Sequence, residues 1–433
     1  MAEQMKPSGI DWIKDIPSSW EINKVKYLAT EPGTLFLDGD WIESDVIEES
    51  GIRYLTTGNV GAGFYKEQGS GYISEKTFSE LHCLNVYPGD LMISRLNEPI
   101  GRSCIIPDTE SRYVVAVDNV VLRPNANYNK KFIMYGMNAD GYAEHANMIA
   151  RGATMSRISR SQLGQFWLAF PNIEEQQAIA DFLDKECAQI DSIAADLEKQ
   201  IALLQQYKKS LITETVTKGL DKSVPMKDSG VEFFGKIPAH WKVSKTKYVA
   251  DISIGLVTTM TANYVDEDGV PLIRNSNIRT NHIDDNGMVY LSKEFAKANI
   301  GRALHKGDIV TVHTGDVGTS AIINETYHMS HGFATIISRL KTKTVNNQFL
   351  CWLYNSEIFK EMSIAYSTGD GRQNLNLYDF VDFYILIPTL KEQMEIVNWL
   401  NLKCTEIDNF IENKQQQLLL IQQHKKSLIY PHL

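Results

Sequence analysis

The sequence has no apolar run long enough to cross a membrane, and residues 1–10 lack the apolar core of a secretory signal. Only five cysteines occur among its 433 residues, and no two of them form the C-x-x-C pair that is typical of zinc and redox sites. These features argue against a membrane protein and a disulfide-stabilised secreted domain. We therefore expect a cytoplasmic protein in which Cys187 and Cys404 are buried free thiols.

The motifs of nucleotide and metal chemistry are also missing. There is no G-x-x-x-x-G-K-[ST] phosphate loop, no H-E-x-x-H pair, and no Asn-Pro-Pro-Tyr-like motif of the sort that grips a flipped adenine in amino-methyltransferases. GNVGAG at 58–63 has the wrong spacing for a dinucleotide loop, and no Cys or carboxylate completes a metal set with His328 and His331. We expect no catalytic residue, metal or cofactor in this chain.

Basic residues are too few for a general nucleic-acid binder. The net charge is −10, with 43 Lys and Arg against 53 Asp and Glu. Residues 1–172 carry 16 basic and 21 acidic residues, and residues 221–389 carry 17 and 18. Because phosphate neutralisation supplies most non-specific affinity, DNA binding would require basic residues gathered on one face, or phosphate contacts from a partner.

What the sequence does contain is an internal repeat. SGIDWIKDIPSSWEINKVKYLA at 8–29 recurs as SGVEFFGKIPAHWKVSKTKYVA at 229–250, a shift of 221. EEQQAIADFLDKECAQIDSI from Glu174 recurs as KEQMEIVNWLNLKCTEIDNF from Lys391, a shift of 217, and KKSLI occurs at 208–212 and 425–429. We expect Trp20 and Trp241 to anchor matching cores. A chain doubled in this way should have a target in two parts.

In each copy of the repeat, the spacing of apolar residues changes once, from a strand-like to a helix-like pattern. Short Val, Ile, Tyr and Phe runs broken by Gly, Asn and Asp predict β-rich domains at 1–172 and 221–389, with the clearest strands at 114–124, 307–313 and 333–340. Apolar residues then recur at helical spacing and predict long helices in 173–220 and 390–433, so the fold class is α+β. The residues that carry this spacing are Ile190, Ile193, Leu197, Ile201, Leu204, Tyr207, Leu211, Ile407, Phe410 or Ile411, Leu418, Ile421 and Leu428. Such helices should pack against each other or a partner.

The ordered motifs resemble the specificity subunit of type I restriction-modification enzymes. IPSSWEI and IPAHWKV open the two domains, and PNIEEQQAIADFL and PTLKEQMEIVNWL lead into the two helices. The resemblance extends nearly end to end. It implies two homologous target recognition domains that read DNA, separated by two long helices packed antiparallel, with a pseudo-twofold arrangement.

The resemblance also implies partners. Double-stranded DNA would be bound together with two modification subunits, which carry adenine methylation, and with motor-nuclease restriction subunits. S-adenosylmethionine, ATP and Mg would act in those partners. This chain would have no activity of its own and would direct methylation and restriction to a bipartite site with an unspecified gap.

Candidate DNA-reading residues fall in three segments per copy, at 53–59, 95–97 and 151–160 and at 272–279, 313–314 and 367–375. Forked Arg, Asn and Gln side chains match the edges of guanine and adenine. In the first copy the candidates are Thr56, Thr57, Asn59, Arg95, Asn97, Arg151, Thr154, Ser156, Arg157 and Arg160. In the second copy they are Arg274, Asn275, Asn277, Arg279, His313, Thr314, Arg372, Gln373 and Asn374. The resemblance implies that 151–160 and 367–375 face DNA.

Two alternatives remain open at this point. The chain could serve a modification-only methyltransferase without a nuclease, or it could be a scaffold whose doubled domains bind protein instead of DNA. If it reads DNA, the helices should set the gap, because the 23 residues from 190 to 212 form a rod of about 35 Å, close to one turn of B-DNA.

Overall fold

The computed structural model describes residues 4–10, 12–69, 71–96, 99–152, 156–258, 260–266, 268–369 and 371–429. The chain divides into two compact units. The first unit comprises Met1–Leu197 with Gln417–Leu433, and the second comprises Glu198–Gln416. Both long helices therefore contribute residues to both units. The domain boundaries inferred above from composition stay a prediction.

The first unit is built on a four-stranded antiparallel sheet in the order Leu35–Asp38, Asn119–Arg123, Leu91–Ser94 and Ser103–Ile105. A three-stranded sheet has the order Tyr72–Ile73, Ile52–Leu55 and Tyr113–Val115, the last pair being parallel. Two-stranded pairs join Met5–Ile10 with Ile13–Pro17 and Glu21–Lys24 with Trp167–Phe170.

The second unit repeats this plan. Its four-stranded antiparallel sheet has the order Ala250–Ile254, Thr335–Leu340, Ile309–Val312 and Ser320–Ile322. A further sheet has the order Tyr264–Val265, Val289–Leu291, Val270–Arg274 and His331–Phe333. The two-stranded pairs are Met226–Asp228 with Lys236–Pro238, Lys242–Lys245 with Tyr384–Ile387, Ile278–Arg279 with His282–Ile283, and Ser367–Thr368 with Asn374–Leu375.

The predicted strand at 114–124 is in fact two strands in different sheets. Tyr113–Val115 pairs in the three-stranded sheet, whereas Asn119–Arg123 lies inside the four-stranded one. A turn separates them, in which the amide of Asn119 donates to the carbonyl of Ala116 at 2.9 Å. Apolar residues at 114–117 and 120–122 lie on both sides of Asp118 and Asn119, so we interpreted the whole stretch as one strand.

Short helices cover the sheets. Those of the first unit are Glu75–Glu80, Lys130–Met137, Asp140–Ile149 and Arg160–Leu163. Those of the second are Thr246–Val249, Lys293–Ala298, Asn347–Tyr354, Glu357–Ala365 and Leu377–Phe380. One-turn 3-10 helices lie at Val25–Leu28, Ser44–Val46, Thr57–Asn59, Thr261–Asn263, Asn275–Asn277 and Ile300–Arg302.

The two long helices are Ile173–Lys218, with 46 residues, and Leu390–Ile429, with 40. In the second unit Lys414 donates to Gln200, and Lys208 binds Asp408 at 2.6 Å. Residue numbers therefore rise along the first helix while those of its contacts on the second helix fall. In the first unit Lys425 binds Asp191 at 2.6 Å in the same sense. The helices pack antiparallel, as the resemblance implied.

The contact seam of the long helices is narrower than the apolar spacing indicated. Ile190, Leu197 and Ile407 are buried, and six further predicted residues are half-buried: Ile201, Leu204, Leu211, Leu418, Ile421 and Leu428. By contrast, Ile193, Tyr207 and Phe410 are 49%, 55% and 58% exposed. One antiparallel neighbour covers only one stripe of a helix, so apolar residues beside that stripe stay accessible. These three keep the predicted helical spacing but lie outside the seam, and Ile411, the alternative to Phe410, is half-buried.

Two other expectations from the sequence are confirmed. All five cysteines are free and buried, including Cys187 and Cys404. Trp20 and Trp241 lie in matching cores at 6% and 0% exposure. Among the helices of the described residues, none has an apolar stretch of the length that a bilayer requires.

Candidate nucleic-acid interface

The repeated motifs attach each β-rich domain to its long helix. In the first unit the indole Nε1 of Trp20 donates to Glu175 of the helix at 3.3 Å, and in the second unit Trp241 donates to Glu392 at 3.3 Å. Burial raises the pKa of Glu392, but hydrogen bonds from His240, Thr389 and Trp241 outweigh it and hold the pKa below its ordinary value. The carboxylate is therefore charged at neutral pH. The I-P-x-x-W and E-Q motifs are two halves of one contact.

The glutamine of each E-Q motif is buried and fully hydrogen-bonded to backbone. Gln393 donates to the carbonyls of Thr344 and Pro388, and its Oε1 accepts from the amide of Asn346 at 2.7 Å. Asn346 in turn caps the helix Asn347–Tyr354. Gln176 makes the matching three bonds in the first unit, to Asn127, Pro171 and Asn129. This glutamine fixes the last strand, the long helix and a capped short helix together.

We expect Gln393→Ala to lower the free energy of unfolding by about 3 kcal/mol. Three backbone groups would lose their partners, at about 1–3 kcal/mol for each group that stays buried and unpaired. Urea unfolding followed by tryptophan fluorescence measures the change. Gln415→Ala is the matched control, since Gln415 is exposed on the same helix and should cost less than about 0.5 kcal/mol. Equal losses for the two variants would contradict the structural role of Gln393.

The three candidate segments of the first unit converge around a residue that the sequence analysis missed. The guanidinium of Arg102 donates to the carbonyls of Thr57 and Val60 at 3.0 and 2.8 Å, and to Leu96 and Pro99 at 2.9 and 3.2 Å. Leu96 forms a β-bridge to Arg157 in the third segment. Arg102 aligns with Thr319 in the second copy, so the repeat did not single it out.

An alternating row of charges underlies this loop cluster. Asp38 binds Arg95 at 3.2 Å and Arg160 at 3.3 Å, and Asp118 binds Arg157 at 3.0 Å. Arg95 also lies 3.9 Å from Asp118, which links the two groups into one row. The segment 151–160 contains no acid, but acids from a strand end and a turn elsewhere in the unit neutralise part of its charge. Arg157 keeps a 56% exposed side chain above this row.

The three candidate segments of the second unit are joined directly. The Asn275 side chain accepts from the amide of His313 at 3.2 Å, and Thr314 donates to the Asn374 side chain at 3.0 Å. The amide of Gly315 donates to the carbonyl of Gln373 at 3.0 Å. Burial lowers the pKa of His313, so its ring is neutral at neutral pH. The contacts that join these three segments are therefore made by uncharged groups.

The segment 367–375 is a β-hairpin, formed by pairing of Ser367–Thr368 with Asn374–Leu375. Arg372 is exposed near its tip and Gln373 is half-buried beside it. Arg151 is likewise exposed in the first unit, and Ser156 is half-buried. Arg279 is 48% exposed and binds Asp284, while Arg274 donates to the carbonyl of Gly287. Thr56 is exposed and Thr57 half-buried at the loop that Arg102 holds.

Three candidates are unsuited to reading bases. Asn59 and Asn277 are 1% and 0% exposed, and each uses both amide hydrogens and its carbonyl on local backbone. Arg95 is 7% exposed and donates to the carbonyls of Ile158 and Val117. These side chains are needed to shape the loops, and we withdraw them as base contacts. Asn97 and Thr154 lie outside the described residues.

A second feature recurs beside the loops of both units. Lys24 lies 4.7 Å from the ring centre of Trp167, and Lys26 4.7 Å from that of Tyr27. In the second unit Lys245 and Lys247 lie 5.5 and 5.6 Å from the rings of Tyr384 and Tyr248. Asp382 binds both of these lysines, whereas Lys24 donates to the uncharged Gln165. The first unit therefore carries more unbalanced positive charge here.

The described residues contain no group of three or more His, Cys, Asp or Glu that could hold a metal ion. Comparison with known proteins identifies the family of this chain. The model of the type I restriction modification DNA specificity domain matches residues 20–203 and again residues 238–422. The chain belongs to this family. The two matches agree with the tandem repeat and the α+β fold.

Named relatives are similar over different lengths. The EcoBI specificity subunit of Escherichia coli is 26% identical over 275 residues, which cover 62% of this chain but only 58% of that subunit. The putative MjaX specificity subunit of Methanocaldococcus jannaschii is 25% identical over 367 residues, 83% of this chain and 81% of that protein.

Solved structures share the fold. A chain from a structure describing complex assembly and conformational transition of a type I restriction-modification system superimposes with a TM-score of 0.72 at 12% identity. That match covers 96% of this chain and 98% of the other. The HsdS subunit of Thermoanaerobacter tengcongensis gives a TM-score of 0.52 at 12% identity, with 96% and 97% covered.

Proposed function

We propose that this chain is the DNA-reading specificity subunit of a type I restriction-modification complex. The observation that carries the proposal is the convergence, in each unit, of three loop segments rich in Arg, Asn, Gln and Thr. Arg102 ties the segments in the first unit, and bonds among Asn275, His313, Thr314 and Asn374 tie them in the second. Two such clusters fit a site of two half-sites with an unspecified gap.

The two clusters differ in chemistry and should read different bases. Arg151 and Arg157 are exposed in the first unit and suit guanine, whose O6 and N7 accept from a forked guanidinium. The second cluster presents Arg372 beside the amides of Gln373 and Asn374, and amide side chains suit adenine. Neither cluster carries enough unpaired positive charge for tight DNA binding alone.

Partners would supply the remaining affinity and the chemistry. We assign methylation to two modification subunits that use S-adenosylmethionine, and cleavage to motor-nuclease subunits that use ATP and Mg, in a cytoplasmic assembly. Their docking surface would include the exposed apolar residues of the long helices. The strongest of these are Ile193, Leu203, Tyr207, Leu402, Phe410 and Leu420, each between 49% and 63% exposed.

The test compares the purified chain with the chain bound to its modification subunit. Alone, the chain should transfer no labelled methyl group, cut no DNA, and retain a random DNA pool only weakly, because few phosphates are neutralised. With the modification subunit, selection should enrich one bipartite sequence whose adenines are methylated in the host genome. Recovery of the pool without enrichment would favour the protein-binding scaffold. Methyl transfer by the chain alone would disprove its non-catalytic role.

A further inference from the structure

Two lysines and two aromatic rings form one surface in each unit, which we call the lysine–aromatic patch. The members in the first unit are Lys24, Lys26, Tyr27 and Trp167. Those in the second unit, at the same positions of the internal repeat, are Lys245, Lys247, Tyr248 and Tyr384. Tyr27 and Tyr248 are 48% and 66% exposed, so both patches are accessible. Because each ring restricts its lysine to few conformations, less freedom is lost when the ammonium binds an anion.

Each patch directly follows the third candidate reading segment of its unit. In the first unit segment 151–160 runs into a one-turn helix, after which the carbonyl of Gly164 accepts from the amide of Lys26 at 3.2 Å. In the second unit a one-turn helix likewise follows the hairpin, and the carbonyl of Val381 accepts from the amide of Lys247 at 2.9 Å. Backbone hydrogen bonds therefore hold both patches beside the loops that are candidates for reading DNA.

A glutamine that borders the first patch is an aspartate in the second. Gln165 corresponds to Asp382 in the internal repeat. The uncharged Gln165 accepts from Lys24 at 2.8 Å. Asp382 lies 3.2 Å from Lys245 and 2.5 Å from Lys247. Hydrogen bonds from Lys247 and Lys245 hold the pKa of Asp382 below its ordinary value, so this carboxylate is charged at neutral pH.

The first patch therefore keeps a positive charge that is neutralised in the second. No ion pair among the described residues includes Lys24 or Lys26. The bordering segment 160–167 contains one arginine and no acid, whereas the corresponding segment 377–384 contains two aspartates and no basic residue. An anion can bind the first patch directly, but at the second it must first displace Asp382 from its two lysines.

The DNA backbone is the anion that this position favours. If a reading segment meets base edges in a groove, the phosphates of the same duplex border that groove on either side. A lysine ammonium is a point charge that suits a phosphate oxygen, whereas the fork of arginine suits the edge of guanine. The patches contain lysines, and the neighbouring loops contain Arg151, Arg157 and Arg372. The two residue types are thus divided as backbone contacts and base contacts would be.

We propose that the lysine–aromatic patch of the first unit binds the phosphate backbone beside its half-site, and that Asp382 weakens the same contact in the second unit. This inference rests on the proposed DNA-reading function and adds an inequality between the two units. The first unit has phosphate contacts of its own, whereas the second depends more on its base contacts and on partners. Added salt therefore weakens the contact of the first unit more than that of the second, because salt competes with phosphate contacts.

Exchange of the residue at this one position tests the proposal in both directions. Asp382→Gln copies the first patch into the second unit, and Gln165→Asp copies the second patch into the first. Fluorescence anisotropy gives the Kd at several salt concentrations, for the chain bound to its modification subunit and a duplex that carries the selected bipartite site. Each phosphate contact contributes about 0.9 to the slope of log Kd against log salt concentration. We expect Asp382→Gln to steepen this slope by about 1 and Gln165→Asp to reduce it by about 1.

Glu325→Gln is the matched control. It makes the same change in net charge and releases Lys306, which Glu325 binds at 2.8 Å in the second unit. Lys306 precedes the strand Ile309–Val312, whereas the candidate reading residue His313 follows it, so the released charge lies at the other end of that strand. We expect an unchanged slope. The preferred bases should also stay the same in all three variants, since phosphate contacts carry no sequence information.

The possible failures can be told apart. An unchanged slope in both exchanged variants, or an equal change in Glu325→Gln, would overturn the inference and leave specific DNA reading intact. A new base preference in one half-site would also overturn it, because residue 165 or 382 would then contact a base. Altered binding of the modification subunit without DNA would make the patch a protein contact instead. If no bipartite sequence is enriched, the proposed function fails, and the slope on random duplex DNA decides the patch separately.

Discussion

Lengthening both long helices by four residues at the same level should leave both half-sites unchanged and add one or two unspecified bases between them. Four helical residues add about 6 Å, and one base pair spans about 3.4 Å. The insertions belong after Gln200 and after Lys414, which contact each other. The ion pairs Lys208–Asp408 and Lys425–Asp191 then keep their partners on either side of the insertion. Methylome sequencing of a host that carries the variant measures the gap.

The control is a four-residue insertion after Gln200 alone. It moves one helix past the other, so one of the two flanking ion pairs must lose its register, and we expect reduced methylation without a new, uniform gap. If the double insertion left the gap unchanged while methylation continued, the helices would not determine the spacing of the half-sites.

The second large effect concerns independence of the two domains. Arg372→Ala or Gln373→Ala should relax the half-site read by the second unit, at a cost of about 1–3 kcal/mol, or roughly 5- to 150-fold, for a bidentate base contact. Arg151→Ala should relax the other half-site alone. Lys343→Ala is a control, because Lys343 is exposed in the second unit but outside the three loop segments. Selection from a degenerate DNA pool by each variant, bound to its modification subunit, gives the specificity of each half separately.

Loss of specificity in both halves from a single substitution would show that the domains do not read independently. Loss of affinity without any change in base preference would show that the substituted arginine does not contact a base. In that case Arg372 or Arg151 contacts phosphate, since a phosphate contact weakens binding evenly across sequences.

The overall architecture could be predicted from the sequence because residues that recur at matching positions of an internal repeat have matching structural roles. Gln176 and Gln393 each occur five residues after the proline that ends the β-rich domain, and both turn out to make the same three backbone bonds. The start of each long helix after Pro171 and Pro388 was likewise visible, because the apolar period changes there.

The loops were harder to predict because a side chain's type does not show its partners. Arg95 and Asn59 have the forked groups that read bases, but tertiary contacts bury both. The acids that neutralise segment 151–160 are distant in the sequence: Asp38 ends a strand, and Asp118 lies in the turn before Asn119–Arg123. Arg102 was missed for the same reason, since only the folded chain brings four carbonyls to its guanidinium.

The attachment of each domain to its helix has a consequence for how new specificities arise. The indole–carboxylate contact and the buried glutamine lie at the ends of the domain, whereas the candidate reading loops lie between them. The reading loops can therefore differ between two chains that share the same ends, provided that the short-helix start at Asn127 and Asn129, which bonds to Gln176, keeps its backbone position. If the chain reads DNA as proposed, we expect a single recombination event that exchanges one domain to replace one half-site and to leave the other half-site unchanged.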